Sequence, residues 1–214
     1  MRHTLLCAII CLAGIAMAET PTGRDLHLRG GRFKPLTYDE LTPEQKTLVD
    51  HILSGPRGGT LDGPFNVYLR SPELGDIAQQ FGAQVRYHSS LPPKLNEFAI
   101  LITGRYWNAQ YEWYAHKKFA LQAGLSPAII EALAAGKKPP MQKDEEVIYN
   151  FCTEMLHTKH VSDTAFQAAK GQVGERGIVD LIGLMGYYNL VSMALNADRY
   201  PLPDGAKPEL APLK

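Results

Sequence analysis

The sequence runs to 214 residues and carries 22 basic against 22 acidic side chains. No basic block or stripe breaks that balance, which argues against nucleic acid and anionic membrane surfaces as partners. Two of the three cysteines, Cys7 and Cys11, fall near the N-terminus, so a disulfide-stapled scaffold is excluded as well.

The first eighteen residues read as a secretory signal. Arg2 and His3 precede an apolar run from Leu5 to Ile15, and Ala16-Met17-Ala18 is a small-x-small cleavage site. The run is too short to span a bilayer comfortably, so a periplasmic or secreted protein without a membrane anchor is expected. Cleavage leaves 21 basic against 22 acidic residues, a net charge of −1, and the single cysteine Cys152. A lone thiol forms no internal disulfide, and the apolar run Val147-Ile148-Tyr149-Asn150-Phe151-Cys152 marks it as a core residue. The remaining chain is long enough for one domain with a sizeable core.

Residues 19–41 are rich in Gly, Pro and Arg, have little hydrophobic periodicity, and read as an extended arm, a candidate to lie over a neighbouring subunit. Thr42-Pro43-Glu44-Gln45 is a helix start with an N-cap, Pro at N1 and Gln at N3, opening a helix to about Leu53. Ser54 to Pro64, with four Gly and two Pro, is a loop. Phe65 to Leu69 is the one weak strand candidate. Ser71-Pro72-Glu73 opens a second helix to about His88, with Leu74, Ile77, Phe81 and Val85 at amphipathic spacing and so expected inside. Pro92-Pro93 opens a third, with Leu95, Phe98, Ala99, Leu101 and Ile102 inward and Gly104 as its stop. A fourth runs from Ala109 to Ala123 between Asn108 as N-cap and Gly124 as C′ residue. Ser126-Pro127 caps a short fifth, Gln142 to Leu156 forms a sixth with acids in its first turn, and Ser162-Asp163 starts a seventh through Ala169. Glu175 to Asn196 is a long eighth, and Pro and Gly dominate from Tyr200 onward. The expected class is all-α, about eight helices. The expected organisation is a leader (1–18), an arm with one helix and a loop (19–64), a helical domain (65–200) and a Pro-rich tail (201–214).

The fourth helix carries the chemistry. Glu112 and His116 are four residues apart, so they lie about 40° apart around the axis and about 6 Å along it, on one face. Both Trp residues and three of the ten Tyr fall between Tyr106 and Tyr114. A carboxylate and an imidazole within hydrogen-bond reach, walled by aromatics, are the parts of a proton-transfer site.

Three stretches carry a resemblance. They are Leu91-Pro92-Pro93-Lys94-Leu95-Asn96-Glu97-Phe98-Ala99-Ile100-Leu101, then Tyr111-Glu112-Trp113-Tyr114-Ala115-His116, then Ala120-Leu121-Gln122-Ala123-Gly124-Leu125-Ser126. Together they resemble the carboxymuconolactone decarboxylase and alkylhydroperoxidase D-like superfamily over about residues 70–197. The peroxidase branch carries Glu-x11-Cys-x2-Cys-x3-His. Counted back from His116, its glutamate falls on Glu97 and its cysteines on Ala109 and Glu112. Disulfide relay chemistry needs a thiolate and a resolving partner, and neither position supplies one. The likeness is therefore to the decarboxylase-type branch that lacks the cysteine pair. The resemblance implies an all-helical fold assembled as trimers or hexamers, a small-molecule substrate, and no metal or cofactor. It also implies proton transfer beside a carbonyl, on a small carbonyl or lactone acid.

On that footing His116 is expected as general acid/base, Glu112 as its partner or second acid/base, and Glu97 as anchor or base. Arg105 is a candidate for holding a substrate carboxylate, with Trp107, Tyr111 and Trp113 as pocket walls. A divalent ion would find two Glu and one His but no second His at ligand spacing. The alternative is a binding protein or structural oligomer on the same scaffold, in which the three polar residues form only a buried network.

Overall fold

A computed structural model describes residues 25–57 and 59–213; the leader expected over residues 1–18 lies outside them. Among the described residues every regular element is helical. These are α1 (Pro43–Ser54), α2 (Phe65–Tyr68), α3 (Pro72–Tyr87), α4 (Pro93–Tyr106), α5 (Gln110–Gln122), α6 (Pro127–Ala134), α7 (Lys143–Thr158) and α8 (Asp163–Asp198), with a single 3-10 turn at Tyr38–Glu40. At Gly174 the α8 backbone turns left-handed (φ 72°, ψ 176°), so α8 is two helices in tandem, dividing where the sequence expects a seventh and an eighth.

The helix starts follow local chemistry. At α1 the Gln45 N–H donates to Thr42 Oγ1 at 3.3 Å while the Thr42 N–H donates to Gln45 Oε1 at 2.9 Å, a reciprocal cap. Proline occupies the first position of α1, α3, α4 and α6, where its missing N–H costs nothing. The α4–α5 turn is closed by the Ala109 N–H donating to Gly104 O at 2.9 Å, with Asn108 in the left-handed region. This turn sends α5 back antiparallel along α4, so Gly104 faces Glu112 and Glu97 faces His116.

Two hydrophobic clusters form the interior. The larger surrounds α4, buried without interruption from Leu95 to Gly104 and packed against α5, α7 and α8. The smaller gathers Leu26, Leu41, Leu48, Val49, Ile52, Leu61, Phe65 and Tyr68 around α1 and α2. Half of the most apolar window of α8 lies inside the bundle, as in the core helix of a folded domain.

Three expectations need correction. Phe65–Leu69 is not a strand: the Tyr68 and Leu69 N–H groups donate back to Pro64 O and Phe65 O at 3.0 Å each, and the resulting turn buries Phe65 and Tyr68 together. The arm lies on its own chain, because the buried carboxylate of Asp198 accepts from the backbone N–H groups of Gly31, Arg32 and Phe33 at 3.2, 2.9 and 2.7 Å. On α3 the stripe Leu74, Ile77 and Phe81 faces outward at 59, 67 and 42 % exposure. The inward face is Gly75, Ala78, Gln79, Gly82 and Val85, and it is small because the neighbours are close. A Cβ at Gly75 would stand 2.8 Å from Leu48 Cδ2, and one at Gly82 would stand 2.2 Å from Tyr187 Cζ. The C-terminal tail is also seated: Gln110 exchanges hydrogen bonds with the Leu210 backbone at 3.1 Å each way.

Candidate active site

A cavity of about 570 Å³ lies at the seam between the two clusters, lined by α3, α4, α5, α8 and the loop before α2. Its rim is exposed at Pro56, Thr60, Asp62, Tyr87 and Lys118, whereas Glu97, Glu112, His116, Tyr187 and Tyr188 form a buried floor.

His116 sits between the two acids. Its Nδ1 is 2.7 Å from Glu97 Oε2, in good hydrogen-bond geometry. Its Nε2 is 3.1 Å from Glu112 Oε1, but the angles do not make a hydrogen bond, and that oxygen is buried without a partner. The acids thus differ. Glu97 fixes the ring, and Glu112 is close to it but unengaged. Tyr188 packs edge-on against the imidazole, centroids 5.0 Å apart.

Burial pushes the Glu112 carboxyl up from its ordinary range, opposed by His116 and Arg86 and assisted by Glu97. Burial likewise raises Tyr187 and places Tyr188 well above the ordinary phenol range, so both remain phenols at neutral pH. His116 Nε2 thus stands 3.1 Å from a buried carboxyl whose neutral form burial favours, which places a proton acceptor and a proton donor side by side on the cavity floor.

The two carboxylates face opposite nitrogens of one ring, so the three side chains do not converge on a common point as metal ligands must. Among the described residues no cluster of three or more His, Cys, Asp or Glu has a metal-binding arrangement.

Of the residues the sequence nominates, Glu97, Glu112, His116 and Tyr111 line the cavity. Arg105, Trp107 and Trp113 do not. Arg105 donates to Asn108 Oδ1 at 3.0 Å and to Ala211 O at 2.8 Å, tying the end of α4 to the tail. Trp107 donates its indole N–H to Asn189 on α8. Trp113 is 1 % exposed in the core, its N–H 3.4 Å from Glu209 Oε2. In their place the cavity receives Arg86 from α3 and Arg57 from the loop. Arg86 Nε is 4.0 Å from Glu97 Oε1, and its guanidinium lies over Phe119 and Tyr87 at 4.7 and 5.1 Å. Arg57 Nη2 donates to Gln79 O at 3.1 Å and to the Tyr187 hydroxyl at 3.4 Å. An arginine near a helix end or in a Gly-rich loop reads as solvated, so neither signals itself in the sequence. Cys152 is fully buried on α7, away from the cavity, and burial raises its thiol pKa far above the ordinary value.

No family model matches the sequence, and no curated protein matches it significantly. Among solved structures, the chain is similar to a protein of unknown function from Agrobacterium tumefaciens, described as a candidate antioxidant defence protein AhpD. The match has a TM-score of 0.54 and 18 % identity, and it covers 66 % of this chain and 99 % of that one. The chain therefore has an AhpD-like, all-α helical fold.

Proposed function

We propose that the protein catalyses cofactor-independent proton transfer next to the carbonyl of a small organic acid, leading to decarboxylation, isomerisation or lactone hydrolysis. The observation that carries this reading is a buried imidazole held by one acid and left loosely engaged with a second, on the floor of a cavity with an exposed rim. In isomerisation His116 takes a proton from the substrate carbon at Nε2, leaving the electron pair delocalised onto the carbonyl oxygen; in decarboxylation that pair comes from the bond to the departing CO2, and in lactone hydrolysis Nε2 takes its proton from the water that adds to the carbonyl. The Nδ1–H to Glu97 hydrogen bond steadies the imidazolium so formed. Glu112 in its protonated form returns a proton to the intermediate or leaving group. Thiol peroxidase chemistry is set aside, since Ala109 and Glu112 stand where its cysteines would be.

The reading includes export, on the strength of residues 1–18, and assembly from copies of this chain, for which the outward stripe Leu74, Ile77 and Phe81 offers an apolar contact surface. The test of activity is deuterium incorporation in D2O, followed by NMR, across a panel of small keto acids and lactone acids, with His116→Ala as control. Incorporation or product formation that disappears in His116→Ala supports the proposal. A panel untouched by the wild type, or turned over equally by the variant, refutes it.

A further inference from the structure

The charged groups facing the cavity do not cancel. Asp62 is paired with Arg29 at 2.7 Å, and burial disfavours the charged form of Glu112. Glu97 is then opposed by Arg57, Arg86 and Lys118. Arg86 is the most exceptional of the three. Its side chain is only 15 % exposed and its nearest acid oxygen is 4.0 Å from Nε, beyond hydrogen-bond reach. Among the described residues its guanidinium makes no hydrogen bond. Aromatic rings cover its faces and leave its N–H edge for another partner. None of its nitrogens is fully enclosed, so its N–H donors are open to the cavity and to whatever acceptor enters it.

Arg57 reaches the same cavity from the loop before α2, held by Gln79 O and the Tyr187 hydroxyl, with its Nε buried and unpartnered. Its place depends on Gly82, one turn before Arg86 on α3. A Cβ there would stand 2.4 Å from Arg57 Nη2 and 2.3 Å from the Tyr187 oxygen. The bare backbone at Gly82 therefore leaves room for the Arg57 guanidinium at the cavity that Arg86 also lines.

We propose that Arg86, supported by Arg57, anchors a carboxylate of the substrate, so that the ligand is an organic acid whose reacting carbon lies over His116. This rests on the cavity being the substrate site and moves the anchoring role from Arg105 to α3. A planar guanidinium edge pairs with a carboxylate through two parallel N–H to oxygen bonds. The flanking Phe119 and Tyr87 rings provide apolar contact for the carbon skeleton beyond it.

The test is calorimetric binding to the wild-type protein of levulinate, its uncharged methyl ester, and inorganic phosphate. Levulinate is expected to bind at least about tenfold more tightly than the ester. Arg86→Gln is expected to bring the ratio close to one, and Arg86→Lys to restore part of it by keeping charge without the fork. Circular dichroism and melting establish that each variant is folded. His116→Ala is expected to keep the full ratio while losing proton exchange, so a failure of the chemistry and a failure of the anchor are told apart. An unchanged ratio in folded Arg86→Gln overturns the proposal. So does phosphate binding as tightly as levulinate, or the absence of levulinate binding to the wild type.

Discussion

Replacing Glu112 with Gln is expected to stabilise the fold at alkaline pH, whereas Glu97→Gln is expected to weaken it. Glu97 accepts a 2.7 Å hydrogen bond from His116 Nδ1. A Gln oxygen still accepts that bond but without the charge, a loss of about 1 kcal/mol. For a domain of this size that is a fall in Tm of about 2–4 °C. Glu112 is the reverse case. Its carboxyl pKa is raised above the ordinary 4.5, first by burial, so the native state holds its proton more tightly than the unfolded chain does. The stability linked to that proton is in full below the ordinary value and is lost as pH rises through the raised one. A Gln at 112 removes this titration and cannot become a poorly partnered buried anion. Its gain over wild type should be within about 0.5 kcal/mol at pH 5, growing to roughly 1–2 kcal/mol by pH 8.5. Thermal melts of wild type and both variants from pH 5 to 9 read this directly. The reasoning is refuted if Glu112→Gln melts below the wild type at pH 8.5, or if the wild-type slope persists unchanged in the variant.

Cys152→Ala should leave turnover unchanged and cost about 1 kcal/mol for the lost core contact, and iodoacetamide should leave the native thiol unmodified; a loss of activity would bring the thiol back into the mechanism. Asp198→Ala leaves the Gly31 and Phe33 N–H groups without their acceptor, while the Arg32 N–H keeps the residue's backbone oxygen at 2.8 Å; it should lower stability by about 1–3 kcal/mol, with limited proteolysis cutting first within residues 25–41, and an unchanged digestion pattern would show that the arm is held by other contacts. Ile77→Lys places a charge in the outward α3 stripe and should shift the light-scattering mass toward the monomer while leaving helical content intact; an unchanged mass would move the subunit contact elsewhere.

Most helix positions were legible because their starts carry their own chemistry: Thr42 with Gln45, Pro at 72, 93 and 127, Ser162 before α8; α2 carries no such signal, and at α5 the expected cap Asn108 instead takes φ 50° one residue before the N-cap Ala109. Legibility failed at α3 for a physical reason. That helix carries two stripes at helical spacing, Leu74-Ile77-Phe81 and Gly75-Ala78-Gly82, and hydrophobicity favours the first for the interior. The small stripe goes inside because Leu48, Tyr68 and Tyr187 approach too closely for a larger side chain. At the site, Glu112 and His116 were readable from one helix, and Glu97 from its place in the resemblance. Arg86 and Arg57 were not, since what sets them apart is the cavity they share across some thirty residues of sequence. The two Trp residues misled in the opposite direction. Aromatic enrichment marks buried contact area, and the indole N–H groups are used on Asn189 and Glu209 rather than on a ligand.

The docking of the arm onto Asp198 sets an order on how the molecule can be completed. Residues 31–33 are synthesised some 165 residues before the carboxylate that receives them. Closing so long a loop is entropically expensive, and it cannot begin until the end of α8 exists. The arm is therefore a late joiner, shut over a bundle that has already formed, and a chain truncated shortly before Asp198 should present the bundle with its first segment hanging loose.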